Sequence, residues 1–598
     1  MAHQLLASLS ICSFSTSLRT SMAPFSARKS ANTSTGLVVR AVQSIETTHE
    51  PGINAGNITR RSAEYKHTIW TFDDIQSLRN DYAGESYKRR ANKLKEQVRV
   101  MLMEEADQLA QLNLIDVLQR LGLSYHFEDQ IQSILKPMQY NIEWTINDNN
   151  LYATALQFRL LRQHGYWIPQ EVFNGFKDEA GKFKASLSED IEGILSLYEA
   201  SYHSIEDESV LDEARDFTIK NLKEYIQQQH KKDENLAIFA RHALELPLHW
   251  RTERLETRWF INAYEKKKDM NHILLELAKL DFNIVQSVHQ EDLKLEYRWW
   301  RSTGIVERMT FARDRLVENF LWSTGMIFEP QFEFCRRMTS RNISLLTTID
   351  DMYDVFGRLD ELELFTNAVE RWDVNTMDQL PDYMKFCFLA LHNSINEMAF
   401  DVLKQNGFHI IKYLKKVWAD LCKAYLVEAK WYHSGYTPTL QEYIENAWIT
   451  VTAPLILMHV YFFVTNSITE EALQCLEEYR GIIRTTSIIF RLEDDLGTSS
   501  YELKRGDVLK AVQCYMHETG ASEESAREHI KFLIYETWKK MNKEAYHAKS
   551  PFSKTFIRCA MDVTKMAHSF YLYGDGYGVQ DCDTKENISA ILIRPIPI

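Results

Sequence analysis

Two short strings carry oxygen ligands at helical spacing. The first is LLTTIDDMYDVF, in which Asp350, Asp351 and Asp354 close a hydrophobic run. Asp350 and Asp354 are four residues apart, so on a helix they share a face, with Asp351 about 100° away on the same turn. Like charges at that spacing repel one another. Leu345, Leu346, Ile349, Val355 and Phe356 flank them and indicate a mostly buried helix. Buried carboxylates need cations, donors or protons around them. A hard divalent cation such as Mg2+ fits, because it takes oxygen ligands and usually keeps substrate phosphates in its shell. A charged helix end running into the acidic loop GRLDELE would write the same string, so this motif alone leaves both readings open.

The second string, FRLEDDLGTSSYELKRGD, places Asp494, Thr498 and Glu502 at i, i+4 and i+8. On a helix the three oxygens line one face and suit a further Mg2+. Arg491 lies about one turn earlier, and Lys504, Arg505 and Lys510 follow. An acidic metal site bracketed by cations suits a diphosphate: metals take some of its oxygens while Arg and Lys clamp the rest. FARDRLVENFLW adds Arg313 and Arg315; by itself that triplet reads as a surface helix.

The elements that would hold these groups are helical. Gly (21) and Pro (12) are scarce for 598 residues, which favours long helices over turn-rich β structure. Apolar residues recur near the 3.6 period in YKRRANKLKEQVRVMLMEEADQLAQL and in NLYATALQFRLLRQHGY, and no strand ladder or Gly-rich phosphate loop interrupts them. The length predicts two domains. The texture changes between ELPLHWRTERLETRW and NHILLELAKLDFNIVQS, so the boundary is placed at 270/271. A formal net charge of −14 argues against a general nucleic-acid binder. Eight scattered cysteines form no CxxC pair and no disulfide framework, which points to a reducing compartment. Residues 1–59 differ from the rest: the first 45 are rich in Ser and Thr, carry Arg19, Arg28, Lys29 and Arg40, and contain no acid before Glu46. That is the signature of an organelle transit peptide. No segment beyond it is expected to be long and apolar enough to span a bilayer.

With these strings in view, the chain resembles the plant terpene synthases that ionise a diphosphate with metal, and more narrowly the angiosperm monoterpene synthases. IDDMYD matches the family's DDxxD motif, DDLGTSSYE its (N/D)DxxSxxxE motif, RDR its RxR element, and RRSAEYKHTIW its RRx8W element from Arg60 to Trp70. The order and spacing agree along essentially the whole chain. The resemblance implies an all-α fold of two helical domains, a non-catalytic α-barrel over 60–270 and a catalytic metal-binding bundle over 271–598. It implies a plastid leader and residence in the plastid stroma, and a monomer with a homodimer as the alternative. No DxDD stands in the N-terminal half, so protonation-initiated cyclisation is not expected.

The resemblance also implies roles. Three Mg2+ ions, replaceable by Mn2+, would be held by Asp350, Asp354 and nearby Asp351, and by Asp494, Thr498 and Glu502. Arg313, Arg491 and Lys510 would bind the diphosphate, and Arg315 would keep the departed anion from the cation. Trp322, Ile343, Tyr425, Phe490 and Tyr577 would line the pocket; core packing explains each of them equally well. Arg60, Arg61 and Trp70 would tie an N-terminal strand over the mouth as a lid. Geranyl diphosphate is the expected substrate, with dimethylallyl or farnesyl diphosphate as alternatives. Isoprene synthases have a Phe seven residues before the DDxxD, where this chain has Ile343. A chain-elongating prenyl transferase would repeat DDxxD, and a helical scaffold would show an internal period. Three positions depart from the family pattern. Glu493 precedes the second motif and would add a metal demand or face solvent, Leu509 stands for a frequent Pro, and Leu572–Tyr573 stand for Gln–His near the pocket.

Overall fold

The computed structural model describes residues 60–63, 65–140, 150–227, 233–505, 508–546, 550–578 and 582–598, with the side chains of 500–505 and 582 excepted. The leader expected over 1–59 and the side chains of Glu502, Lys504 and Arg505 lie outside the described residues. Residues 59–598 form one compact unit. Among the described residues it is helical, and its extended pairing amounts to one isolated bridge between Lys177 and Phe183. The expected 270/271 boundary falls in the loop between the Glu253–Tyr264 and His272–Thr303 helices.

Local signals explain how the site-bearing helices start and stop. Asn271 caps the 32-residue His272–Thr303 helix by accepting the N–H groups of Ile273 and Leu274, and Gly304 ends it at φ +68°. The Glu333–Asp351 helix keeps Cys335, Met338, Leu345, Leu346 and Ile349 buried. It then widens into a π-helical turn, Met352–Phe356, which the Gly357 N–H closes on the Met352 carbonyl at 2.7 Å. Asp354 sits in that turn. The Ile482–Arg505 helix packs most extensively against Lys554–Tyr571 and carries the second motif.

One segment overturns the expectation about membrane-length apolar stretches. Leu440–Val464 is 25 residues long and apolar enough to cross a membrane, yet 78% of its apolar window is buried inside the protein. It is also two helices, Leu440–Thr450 and Ala453–Val464. Thr452 stands between them in the left-handed region at φ 73°. A β-branched residue there is strained, and such strain concentrates at functional sites.

Candidate active site

A cavity of about 430 Å³ opens among these helices. Ile343, Leu346, Thr347 and Asp350 line it from the Glu333–Asp351 helix, and Asp354 from the π turn. Phe490, Arg491, Asp494 and Thr498 line the opposite wall from Ile482–Arg505. On each wall an apolar residue precedes the carboxylates along one helix face. Ile343 is seven residues from Asp350, or about 10 Å along the axis at 1.5 Å per residue. The cavity is therefore apolar at one end and charged at the other. Trp322 sits at the apolar end, with its ring stacked on Phe490 at 4.9 Å and on Phe570 at 4.8 Å between centroids. These aromatic faces can attract a cation without bonding to it.

The charged end is an Arg–Asp lattice. The Arg313 backbone N–H and Nε both donate to Asp351 Oδ2, at 2.7 and 3.2 Å, and its terminal nitrogen donates to Asp350 Oδ2 at 2.6 Å. Burial lowers the pKa of the Arg313 guanidinium, but Asp351, Tyr65 and Asp350 raise it further, so Arg313 stays charged. Burial pushes the Asp351 carboxyl up, and Arg313 opposes that. Across the cavity Arg491 pairs with Asp494, and its terminal nitrogen lies 2.8 Å from Asp495 Oδ1. Lys510, the N-cap residue of the Ala511–Thr519 helix, also lines the charged end.

Of the residues expected from sequence, Asp350, Asp354, Asp494, Thr498, Arg313, Arg491, Lys510, Trp322, Ile343, Tyr425, Phe490 and Tyr577 all border this one cavity. Asp351 and Arg315 do not. Asp351 is fully buried behind Asp350 against Arg313. Arg315 is buried too. It donates to the carbonyls of Tyr577, Gly578 and Lys66, and so pins the two segments that edge the mouth.

The N-terminal segment crosses that mouth. Ala63, Tyr65 and Lys66 border the cavity. Arg60 is held by Glu361 through two bonds of 2.7 Å and lies 4.6 Å from the Phe356 ring centroid and 5.1 Å from that of Tyr383. Arg61 donates to the Asp354 carbonyl at 2.9 Å and lies over Tyr432. Trp70 donates to Glu318 at 3.3 Å, and Tyr297 donates to the Trp70 carbonyl at 2.7 Å. One end of the strap is thus tied to the metal-motif turn itself.

Sequence reasoning missed several residues. Glu428 is a buried carboxylate on the cavity wall that accepts from Thr450 at 2.7 Å. It is a further oxygen within the same lining. Asp495 accepts from Tyr443 and from the Ala511 N–H. The Tyr577 hydroxyl donates to Asn319 at 2.6 Å and lies 2.5 Å from that of Thr347, which fixes its ring at the wall. Glu493 neither faces solvent nor joins the metal motif. It is buried, with Oε1 3.0 Å from His568 Nδ1. Leu572 and Tyr573 are exposed, and Tyr573 donates to Glu245. Their neighbour Tyr571 lines the cavity instead.

The donor set fits Mg2+. Every candidate ligand is a carboxylate or hydroxyl oxygen, the chemistry that cation prefers. Among the described residues no three Asp, Glu, His or Cys side chains converge as a ready-made cage. An ion that completes its shell with phosphate oxygens needs no such cage.

The pattern of the terpene synthase family's metal-binding domain matches residues 301–540, and that of the terpene synthase N-terminal domain matches residues 69–244. The chain belongs to the terpene synthase family. This terpene synthase is 59% identical to a chloroplastic myrcene synthase of Quercus ilex over 100% of both chains. It is 58% identical to a (−)-α-terpineol synthase of Vitis vinifera over 90% of this chain and 91% of that one. Its fold superposes on a crystal structure of limonene synthase with 2-fluorolinalyl diphosphate at a TM-score of 0.88, with 46% identity over 90% of this chain and 100% of that one. An isoprene synthase of grey poplar, in complex with three Mg2+ ions and dimethylallyl-S-thiolodiphosphate, aligns at 0.82 with 48% identity, over 89% of this chain and 99% of that one. The two domain patterns and the superposition agree with the two-domain all-α fold expected from the sequence.

Proposed function

We propose that this terpene synthase ionises geranyl diphosphate and converts the resulting carbocation to one or more monoterpenes, releasing diphosphate. The observation that carries the reading is the polarity of the cavity. Carboxylates and cations gather at one end, and stacked aromatics and aliphatic side chains at the other. The allylic C1–O bond breaks heterolytically and its electron pair leaves on the diphosphate oxygen. Bound Mg2+, or Mn2+ in its place, would neutralise charge developing on that oxygen. Asp350, Asp354, Asp494, Thr498 and Glu502 are the residues to hold it, and Glu428 lines the same cavity. Arg313, Arg491 and Lys510 grip the anion. Trp322, Phe490, Tyr425 and Tyr577 border the cation, and Ile343 with Leu346 limits the length of its chain. The strap over 60–70 excludes water, so the cation ends by losing a proton or by a single controlled water attack.

The chloroplastic names of several relatives support import to the plastid, with the stroma as the working compartment. The enzyme acts as a monomer or homodimer. The reading is tested by giving residues 59–598 geranyl, farnesyl and dimethylallyl diphosphates separately with MgCl2. Volatiles are then identified by gas chromatography and mass spectrometry. Ten-carbon products from geranyl diphosphate, lost with EDTA and restored by Mg2+, are expected. Dominant turnover of either other substrate overturns the substrate assignment.

A further inference from the structure

The two arginine–aspartate sets share one construction. Arg313 bridges Asp350, which borders the cavity, and Asp351, which is fully buried. Arg491 bridges Asp494, which borders the cavity, and Asp495, which is fully buried. In both sets the buried aspartate also accepts a backbone N–H from a distant segment. Asp351 takes that of Arg313 at 2.7 Å, and Asp495 takes that of Ala511 at 2.9 Å. Ala511 directly follows Lys510, so Asp495 anchors the start of the helix that presents the third cavity cation.

The cavity-facing aspartate of each set is thus a candidate metal ligand already engaged by a guanidinium. A divalent cation arriving at that carboxylate meets a fixed positive charge within contact distance, and the two repel. We propose that Arg313 and Arg491 are built-in counter-ions. Each neutralises its cavity-facing aspartate until a divalent cation takes that carboxylate. The edge of the guanidinium that leaves the aspartate then turns to diphosphate oxygens, while the buried aspartate keeps its hold on the rest of the arginine. Asp351 and Asp495 are accordingly positioning residues rather than metal ligands. The inference rests on the metal–diphosphate reading above. It adds that metal without anion is disfavoured, because it strands an arginine, and that anion without metal finds its arginines engaged. The two must bind cooperatively, and linkage makes the effect reciprocal.

The probe is Mn2+ alone, followed by the amplitude of its free-ion electron paramagnetic resonance signal, then Mn2+ with inorganic pyrophosphate. The full chain is compared with Arg313→Gln, Arg491→Gln and Asp351→Asn, each checked for folding by circular dichroism. Wild type is expected to bind Mn2+ weakly alone and more tightly with pyrophosphate. Both arginine variants are expected to bind Mn2+ alone about tenfold more tightly than wild type, within the usual range of coupling factors, and to gain less from pyrophosphate. Asp351→Asn is expected to keep Mn2+ binding and lose the pyrophosphate enhancement. Folded arginine variants that bind Mn2+ alone no more tightly than wild type overturn the inference. So does an Asp351→Asn variant that loses Mn2+ binding without pyrophosphate, since that marks a ligand. The sets are separate, so a variant of one that does not fold leaves the other to decide. Wild type that binds no Mn2+ even with pyrophosphate overturns the metal–diphosphate reading itself, a result distinct from failure of the exchange alone.

Discussion

The Nε–H of Arg315 donates to the carbonyl of Tyr577, 262 residues further along the chain, at 3.3 Å. The same guanidinium donates to Gly578 at 3.1 Å and to Lys66 at 3.4 Å. One buried side chain therefore staples the N-terminal strap to the C-terminal loop at the cavity mouth. A lysine in its place has a compact ammonium and no planar fork. Arg315→Lys should keep the overall fold and loosen the mouth, raising the fraction of water-quenched alcohols. Turnover in 18O-labelled water, read by mass spectrometry, checks this; an unchanged alcohol fraction would assign Arg315 to stability alone.

Ile343 borders the cavity seven residues before Asp350, and in the proposed function it limits chain length. Replacing it with Phe adds bulk to a packed wall, which typically costs about 1–3 kcal/mol. Ile343→Phe should lower kcat/KM for geranyl diphosphate by about tenfold, the factor that 1.4 kcal/mol represents. The loss for dimethylallyl diphosphate should be smaller, because the shorter chain does not reach as deep. Equal losses on both substrates would show that Ile343 does not limit chain length.

Glu493 has a structural partner. The Trp538 indole N–H donates to His568 Nε2 at 3.1 Å, so in the neutral ring the proton sits on Nδ1, 3.0 Å from the Glu493 carboxylate. Glu493→Ala would leave that buried N–H without its acceptor, a cost of about 1–3 kcal/mol. Urea denaturation should show the lowered midpoint, and Glu493→Gln should recover part of it by retaining an acceptor oxygen. The Mg2+ concentration for half-maximal activity should not move in the glutamine variant; a shift would return Glu493 to the metal site.

The strap has a carboxylate clasp. Burial alone would raise the Glu361 pKa, but hydrogen bonds from Arg60 and Tyr383 outweigh it and hold the carboxyl at about 2, below its usual 4.5. A depressed carboxylate stabilises the docked form above the unfolded value, and loses that contribution as pH falls through the folded value. Strap docking should thus be constant through neutral pH and weaken between pH 4.5 and about 2. Hydrogen exchange of the amides in 60–70, corrected for its intrinsic pH dependence, reads this directly. In Glu361→Gln the strap should exchange faster already at neutral pH, and the step in that window should vanish.

The sequence by itself determined the family and which candidate ligands share a helix face. Oxygen ligands at i, i+4 and i+8 lie on one helix face wherever that helix is placed, so Asp494 and Thr498 could be read without a fold, and so could Asp350 and Asp354. Scarce Gly and Pro and the 3.6-residue period settled an all-helical class for the same local reason. The tertiary structure decided what local geometry cannot. Helical spacing puts Asp350 and Asp351 about 100° apart but does not say which faces the cavity. The loop carrying Arg313 settles that by binding Asp351 from behind. Arg315 lies at the mouth rather than on the cavity wall, because besides the adjacent Asp314 its carbonyl partners are Lys66 on one side and Tyr577 and Gly578 on the other, segments far apart in sequence. Glu428 and the strained Thr452 are single residues without a motif, and only folding brings them to the wall. Leu440–Val464 is apolar enough for a membrane by composition, and only its packing against neighbouring helices identifies it as core. Arg60 meets Glu361 across 301 residues. No period or spacing encodes such a contact, because the compact fold, and not the local chain, sets the distance between them.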